Sequence, residues 1–245
     1  MDKIAPYKNA PITEAVIEIR TQLPESVSVA TLETLNENFG SQYPKKKAVH
    51  SIEGMMTFGK TMTSAMGSTP DGFLWISTDD RYVARTRMGG FALSRLAPYE
   101  CWDSFRDEAR RTWNIFKAGV NPLGVTRVGV RYVNLINLPL PFEDFGEYLR
   151  THPTVSPELP QGLSGFFFQV TIPQHDLDAN LCINEGIVDS KENSKASVIL
   201  DIDLYTTADL PHDDDALWDI LETLRLRKNE VFEACITDKT RELFQ

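Results

Sequence analysis

Two long amphipathic stretches, each carrying a Trp-Asp pair, set the plan of this chain: Trp102-Asp103 and Trp218-Asp219 stand 116 positions apart. At the same spacing Phe105 corresponds to Leu221, Ile115 to Val231 and Phe116 to Phe232. Trp102, Phe105, Ala109, Thr112 and Phe116 fall on one helical face, and so do Leu217, Leu221, Leu224, Val231 and Cys235. Such helices owe most of their stability to burial of that face against something else. The segments before each of them supply it, because they alternate as strands do.

Ala15, Ile17 and Ile19 alternate with Glu14, Glu18 and Arg20, so Ile12 to Leu23 reads as a strand ended by Pro24. Val29 to Phe39 reads as a helix with Leu32, Leu35 and Phe39 on one face and Gly40 as its stop. Lys45, Lys46 and Lys47 read as a solvated loop, Val49 to Phe58 as a strand, and Gly59 to Gly72 as a flexible connection. Phe73 to Ser77 and Arg81 to Met88 form a hairpin about Asp79-Asp80, and Phe91 to Leu96 follows Gly89-Gly90. After the first long helix the pattern restarts. Val125 to Leu138 is a strand with Val128, Val130 and Tyr132 on one face, and Phe142 to Arg150 is a short helix. Phe166 to Ile172, Leu181 to Val188 and Ser197 to Tyr205 are strands. His212-Asp213-Asp214-Asp215 opens the last helix, where carboxylates suit the positive end of the dipole. Arg225, Arg227 and Lys228 fall on its other faces.

The expectation is an α+β fold: two pseudo-repeats of strand, helix, about three strands and long helix, with an antiparallel sheet and the long helices packed on it. The halves are residues 1–122 and 123–245, joined in one compact unit.

The formal net charge of -10 opposes nucleic acid and anionic membrane. No apolar run approaches the roughly 18 residues of a membrane span, and Met1 to Pro11 lacks an apolar signal core. Cytoplasmic residence follows. Cys101, Cys182 and Cys235 are too far apart for a disulfide framework or a zinc site. The chain holds no phosphate-binding glycine loop, His-Glu-x-x-His, Cys-x-x-Cys or Gly-x-Ser-x-Gly. This leans against an enzyme and leaves no cofactor or metal to expect; His175-Asp176-Leu177-Asp178 reads as a polar turn.

The charges on strands carry the functional question. Arg81, Arg85 and Arg87 share one strand face, Arg127 and Arg131 another, and Asp201 and Asp203 a third, opposite Val198, Leu200, Ile202 and Leu204. They serve either as cross-strand ion pairs on a solvated face or as a groove whose guanidinium forks grip carboxylate or phosphate. In the second case Arg85, Arg87 and Arg131 share one concave face. Arg85-Thr86-Arg87 and Asp201-Ile202-Asp203 are similar in style to the inward-facing charges of triphosphate-tunnel hydrolases. The first strand departs from that family's Glu-x-Glu-x-Lys, offering Glu14, Val16, Glu18 and Arg20.

Ala10-Pro11-Ile12 through Glu18-Ile19-Arg20, Leu96-x-Pro98-Tyr99-Glu100-x-Trp102 and Val128-x-x-Arg131-Tyr132-Val133-Asn134 together resemble a sporadically distributed prokaryotic protein family of unknown function, over nearly the whole chain. The resemblance carries no functional residue across. A patchy distribution implies mobile cargo such as defence modules and toxin–antitoxin pairs, and hence a protein partner, either a toxin or a defence component. The leading expectation is therefore a non-enzymatic protein-binding module, antitoxin-like or defence-associated. The alternatives are a phosphate-handling enzyme or anion-binding protein using the strand arginines, and a structural homodimer subunit.

Overall fold

The computed structural model describes residues 7–57, 63–211 and 213–245, with the side chains of 52–57 and 63–68 left aside. The strands are β1 (Ile12–Gln22), β2 (Lys45–Thr57), β3 (Thr63–Ile76), β4 (Tyr82–Arg87), β5 (Gly90–Leu96), β6 (Gly124–Pro139), β7 (Phe167–Gln174), β8 (Ala179–Val188) and β9 (Lys195–Thr206). The helices are α1 (Val29–Thr34), α2 (Asn36–Phe39), α3 (Trp102–Val120), α4 (Asp214–Cys235) and α5 (Asp238–Glu242). The fold is α+β, and the strands form one antiparallel sheet in the order β2-β3-β4-β5-β1-β6-β9-β8-β7. In each half the opening strand neighbours the strand that precedes the long helix: β1 lies beside β5, and β6 beside β9.

Chain contacts divide the molecule into a central unit, Glu18–Leu96 with Glu100–Thr126, and a C-terminal unit made of residues up to Ile17, Ala97–Tyr99 and Arg127–Gln245. The cut thus falls at 126/127, where the sequence suggests 122/123, and the start of β1 counts with the C-terminal unit.

In the central unit one sheet face is built on aromatic residues. Phe73, Trp75, Ala84, Thr86, Phe91 and Leu93 are buried, and the β3–β4–β5 register sets them in two adjacent rows. Phe91 lies 6.0 Å from both Trp113 and Phe116 of α3, ring centre to ring centre. Asp103 at the start of α3 and Lys117 at its end suit the dipole, and Asn121 ends it in the left-handed conformation (φ 43°), its N–H returning to the Lys117 carbonyl. In the C-terminal unit Leu217, Leu221, Leu224 and Phe232 of α4 are buried, as are Val128, Val130, Tyr132, Leu181, Ile183, Leu200, Ile202 and Leu204 on the strands.

Several local readings need correction. Lys45 to Lys47 open β2, and 63–72 belong to β3 where a flexible connection was expected; 58–62 lie outside the described residues. The helix expected over 29–39 is broken into α1 and α2. The short helix expected over 142–150 is only a 3-10 turn at Phe145–Glu147. Its backbone is recruited elsewhere: Arg150 N–H bonds the Cys235 carbonyl (2.8 Å) and Thr237 N–H the Tyr148 carbonyl (2.9 Å). Gly146 at its centre is also a poor helix former. Four strands, β2 to β5, lie between α2 and α3, and three between β6 and α4. Lys228 sits on the buried face of α4, which Val231 leaves.

Candidate functional site: an arginine-lined concavity

The β4–β5 hairpin turns through Met88 and Gly89, which pairs Arg87 with Gly90 and Arg85 with Ala92. On the other side β3 sets Gly72 against Arg87 and Leu74 against Arg85. Arg87 therefore lies between two glycines on its sheet face. Neither could carry a side chain. A Cβ on Gly72 would come within 1.9 Å of the Thr86 carbonyl oxygen, and one on Gly90, whose φ is +137°, within 2.4 Å of the Ile19 carbonyl oxygen. The depression beside Arg87 is thus imposed by backbone packing. It lies on the face away from α3, because Arg85 and Arg87 alternate with the buried Ala84 and Thr86.

Strand β1 adds a third guanidinium. Arg20, Arg85 and Arg87, with Glu18 and Asp71, line a cavity of about 360 Å³ in the central unit. Arg20 Nε lies 3.2 Å from Glu18, and Arg87 Nε donates to Asp71. Arg85 has no carboxylate partner among the described residues. Three cations thus meet two anions, a local excess of positive charge in an acidic chain. Lys47 extends it, since it pairs with Leu74, which in turn pairs with Arg85; Lys47 is exposed. Guanidinium forks bind tetrahedral and planar oxyanions in pairs of charge-assisted hydrogen bonds. The two lining carboxylates are held by arginines, so the chemistry on offer is recognition of an anion.

The other strand charges go elsewhere. Arg81 precedes β4 and faces Glu100 at 3.4 Å, and the same carboxylate accepts from the buried Arg95 at 2.9 Å. Arg131, expected beside Arg85 and Arg87, is not among the residues that line the cavity. It belongs to the C-terminal unit and forks Asp201, Nε to Oδ1 at 2.8 Å and Nη2 to Oδ2 at 2.7 Å. Arg127 donates to Asp203 at 2.8 Å and lies over the Tyr205 ring at 4.1 Å. Burial pushes the Asp203 carboxyl up from its usual range although both arginines act against it. Asn184 donates to Asp201 (3.0 Å) and Gln169 to Asn184 (2.6 Å), so the ladder continues to β7. These are internal cross-strand ion pairs.

Sequence reasoning missed Arg20 as a member of the site. Its alternation with Ile19 put it on the polar face of β1, but the neighbour of β1 was not legible. Asp71 lay in the stretch read as a connection. The Asp176 carboxylate is bound by Arg227, and Asp213 caps α4 by accepting from Ala216 N–H at 2.9 Å; His212 lies outside the described residues. No group of three His, Cys, Asp or Glu side chains gathers as a metal site would among the described residues. Nor, among them, is any helix long and apolar enough to cross a membrane.

Two buried ionisable groups lie apart from the cavity, in the C-terminal unit. Glu185 is fully buried, neither oxygen has a hydrogen-bond partner, and burial pushes its carboxyl up to about 8. Lys228 is 7% exposed with its Nζ 3.7 Å from the centre of the Tyr132 ring, and burial lowers its ammonium to about 7, with Arg225 adding to the effect. The chain as a whole matches no protein-family model, no curated protein and no solved structure.

Proposed function

We propose that this chain binds a small phosphate-bearing anion in the Arg20–Arg85–Arg87 cavity of its central unit. The observation that carries the reading is Arg85: a strand arginine, flanked by the apolar Leu74 and Ala92, that shares a concavity with two other guanidinium groups and has no carboxylate of its own among the described residues. Crowded cations favour a bound anion because each raises the cost of the next. The excess of charge, with Lys47 in the same row, suits a dianionic phosphate better than a single carboxylate. Arginine provides paired donors for it, which lysine does not.

Titration calorimetry with inorganic phosphate and pyrophosphate, with acetate as control, tests this. Binding of either phosphate probe is expected, weakened at least about tenfold by Arg85→Gln, since a hydrogen bond to a charged group contributes ~1.5–3 kcal/mol. No heat with either probe, or binding indifferent to Arg85→Gln, removes the reading. Protein binding is the second reading, and the observation that favours it is the exposed apolar edge at β7.

A further inference from the structure

Strand β7 ends the sheet order, so one side of its backbone pairs with β8 and the other, among the described residues, has no strand beside it. Its sequence, Phe-Phe-Gln-Val-Thr-Ile-Pro-Gln, contains no ionisable residue. Phe167 is 74%, Val170 37% and Ile172 43% exposed. An uncharged edge strand with large apolar residues on show is what sheet proteins ordinarily avoid, because it templates further pairing. Strand β2, at the other end of the order, begins with Lys45, Lys46 and Lys47, the usual protection.

The ladder fixes which backbone groups face outward. Phe166 and Ile187 form a hydrogen-bonded pair, Ile187 N–H donating to the Phe166 carbonyl at 3.1 Å. Pairing alternates along an antiparallel ladder. Phe168, Val170 and Ile172 therefore bond to β8, in register with Glu185, Ile183 and Leu181. Phe167, Gln169, Thr171 and Pro173 point their backbone groups away. Pro173 has no N–H to offer, so the outward donors are those of Phe167, Gln169 and Thr171.

These three are spaced so that the strand complements itself. If β7 meets a second β7 antiparallel about Gln169, then Phe167 faces Thr171 of the second copy, Gln169 faces Gln169, and Thr171 faces Phe167. All three outward donors then find carbonyls, and Pro173 falls beyond the last pair. The same register sets Val170 opposite Phe168 of the second copy and Ile172 opposite Phe166, apolar against apolar on the sheet face that carries the buried Glu185, Ile183 and Leu181. Centring on Thr171 would set Pro173 opposite Gln169 and leave the Gln169 carbonyl without a donor. Charge points to the same occupant. Two copies each carrying -10 repel wherever acidic surfaces meet, and β7 presents no charge.

We infer that this chain self-associates through β7, which pairs antiparallel with β7 of a second copy about a two-fold axis at Gln169. Such an interface is isologous, and the sheet of each copy continues into the other.

Sedimentation velocity on the full chain tests it, with two variants. Thr171→Pro removes one outward donor and no bond to β8, and Pro173 already occupies a position of the same parity. Val170→Lys puts a charge opposite Phe168 of the second copy. The wild type is expected to form dimers and both variants to dimerise at least about tenfold more weakly, with unchanged circular dichroism. Gln169→Cys adds a positional readout. Hydrogen-bonded partners in an antiparallel ladder lie about 5.5 Å apart at Cα, within disulfide reach, so mild oxidation should cross-link this variant, whereas Gln174→Cys should stay monomeric on a non-reducing gel. A wild type that is monomeric throughout, a dimer indifferent to both substitutions, or cross-linking at Gln174 in place of Gln169 overturns the inference. Should Thr171→Pro fail to fold, Val170→Lys and the cysteine pair still decide.

Discussion

Arg131 grips Asp201 and leaves Asp203, the residue directly across the ladder from it, to another arginine. Arg127 takes Asp203 with its guanidinium over the Tyr205 ring, and Gly129 makes the room. A Cβ on Gly129 would approach the Tyr205 Cβ to 2.8 Å and the Arg127 guanidinium to 3.3 Å. Asp201 is 4% exposed, while the Arg131 side chain is 51% exposed. Arg131→Gln would strand a buried carboxylate with only Asn184 as donor, at a cost of about 1–3 kcal/mol. Asp201→Asn should cost less, because the freed guanidinium reaches water. Urea melts of the two variants give the ranking, and neither should alter phosphate binding.

Glu185 gives the fold a pH dependence of unusual sign. Its carboxyl is pushed up from the ordinary 4.5 to about 8 by burial. Between those values the folded chain holds a proton that the unfolded chain has released. Stability therefore falls as pH rises through that window and levels off above it. The nearby Cys235 thiol is likewise pushed up, by burial first and by Glu185 in addition. Glu185→Gln cannot ionise, so its stability should lose this slope and exceed that of the wild type at alkaline pH. The scale is ~1.4 kcal/mol for each pH unit of the window. Denaturant melts at about pH 5 and about pH 8 measure it, and a wild type equally stable at both would refute the assignment.

Trp113 shows where helical periodicity reads too narrowly. The stripe of Trp102, Phe105, Ala109, Thr112 and Phe116 leaves Trp113 to one side, yet it is 1% exposed and stacks on Phe116 at 5.7 Å. A helix seated on a sheet buries an arc wider than a single line of residues. Trp113→Ala should cost about 3–5 kcal/mol, and Trp102→Ala, at the first residue of α3 and 7% exposed, the low end of that range. Thermal melts would order the two.

Alternation made the strand faces legible, and helical spacing the two long helices, because both follow from local geometry. Register is not local, and register divides the arginines. Arg131 and Arg85 look alike in sequence, each an arginine two or four residues from another on the same strand face. Arg131 is paired across from Asp203, with Asp201 two residues further on. Arg85 lies between Leu74 and Ala92. Strand order decided which became an ion pair and which remained without an acid. Arg20 could not be placed for the same reason, as nothing in β1 tells that β5 is its neighbour.

Gly90 is the backbone test of the cavity. Its φ of +137° and the approach of the Ile19 carbonyl leave no room for a methyl group. Gly90→Ala should lower stability by more than the ~1 kcal/mol by which such a change raises it at an unstrained site and weaken phosphate binding together with it. Gly89→Ala, one residue away in the turn, meets nothing within 4 Å and should leave both unchanged. Calorimetry and melting of this pair separate the shape of the hairpin from glycine content.

Arg85 and Arg87 should respond oppositely to the same substitution. Asp71 is bound by Arg87 and its side chain is 14% exposed, so Arg87→Gln leaves a largely buried acid without its ion partner and should cost about 1–3 kcal/mol. Arg85 has no such acid, and its guanidinium is repelled by Arg20 and Arg87 beside it in the cavity. Arg85→Gln should therefore leave stability unchanged or slightly raised, within the ±0.5 kcal/mol usual for substitutions that break no contact, while phosphate binding falls. Added phosphate should raise the melting temperature of the wild type by mass action and do so far less for Arg85→Gln. High salt should erase that difference, because exposed charges are screened. If Arg85→Gln instead destabilises the chain as much as Arg87→Gln, Arg85 is held by an internal contact and the cavity is part of the sheet's own ion pairing.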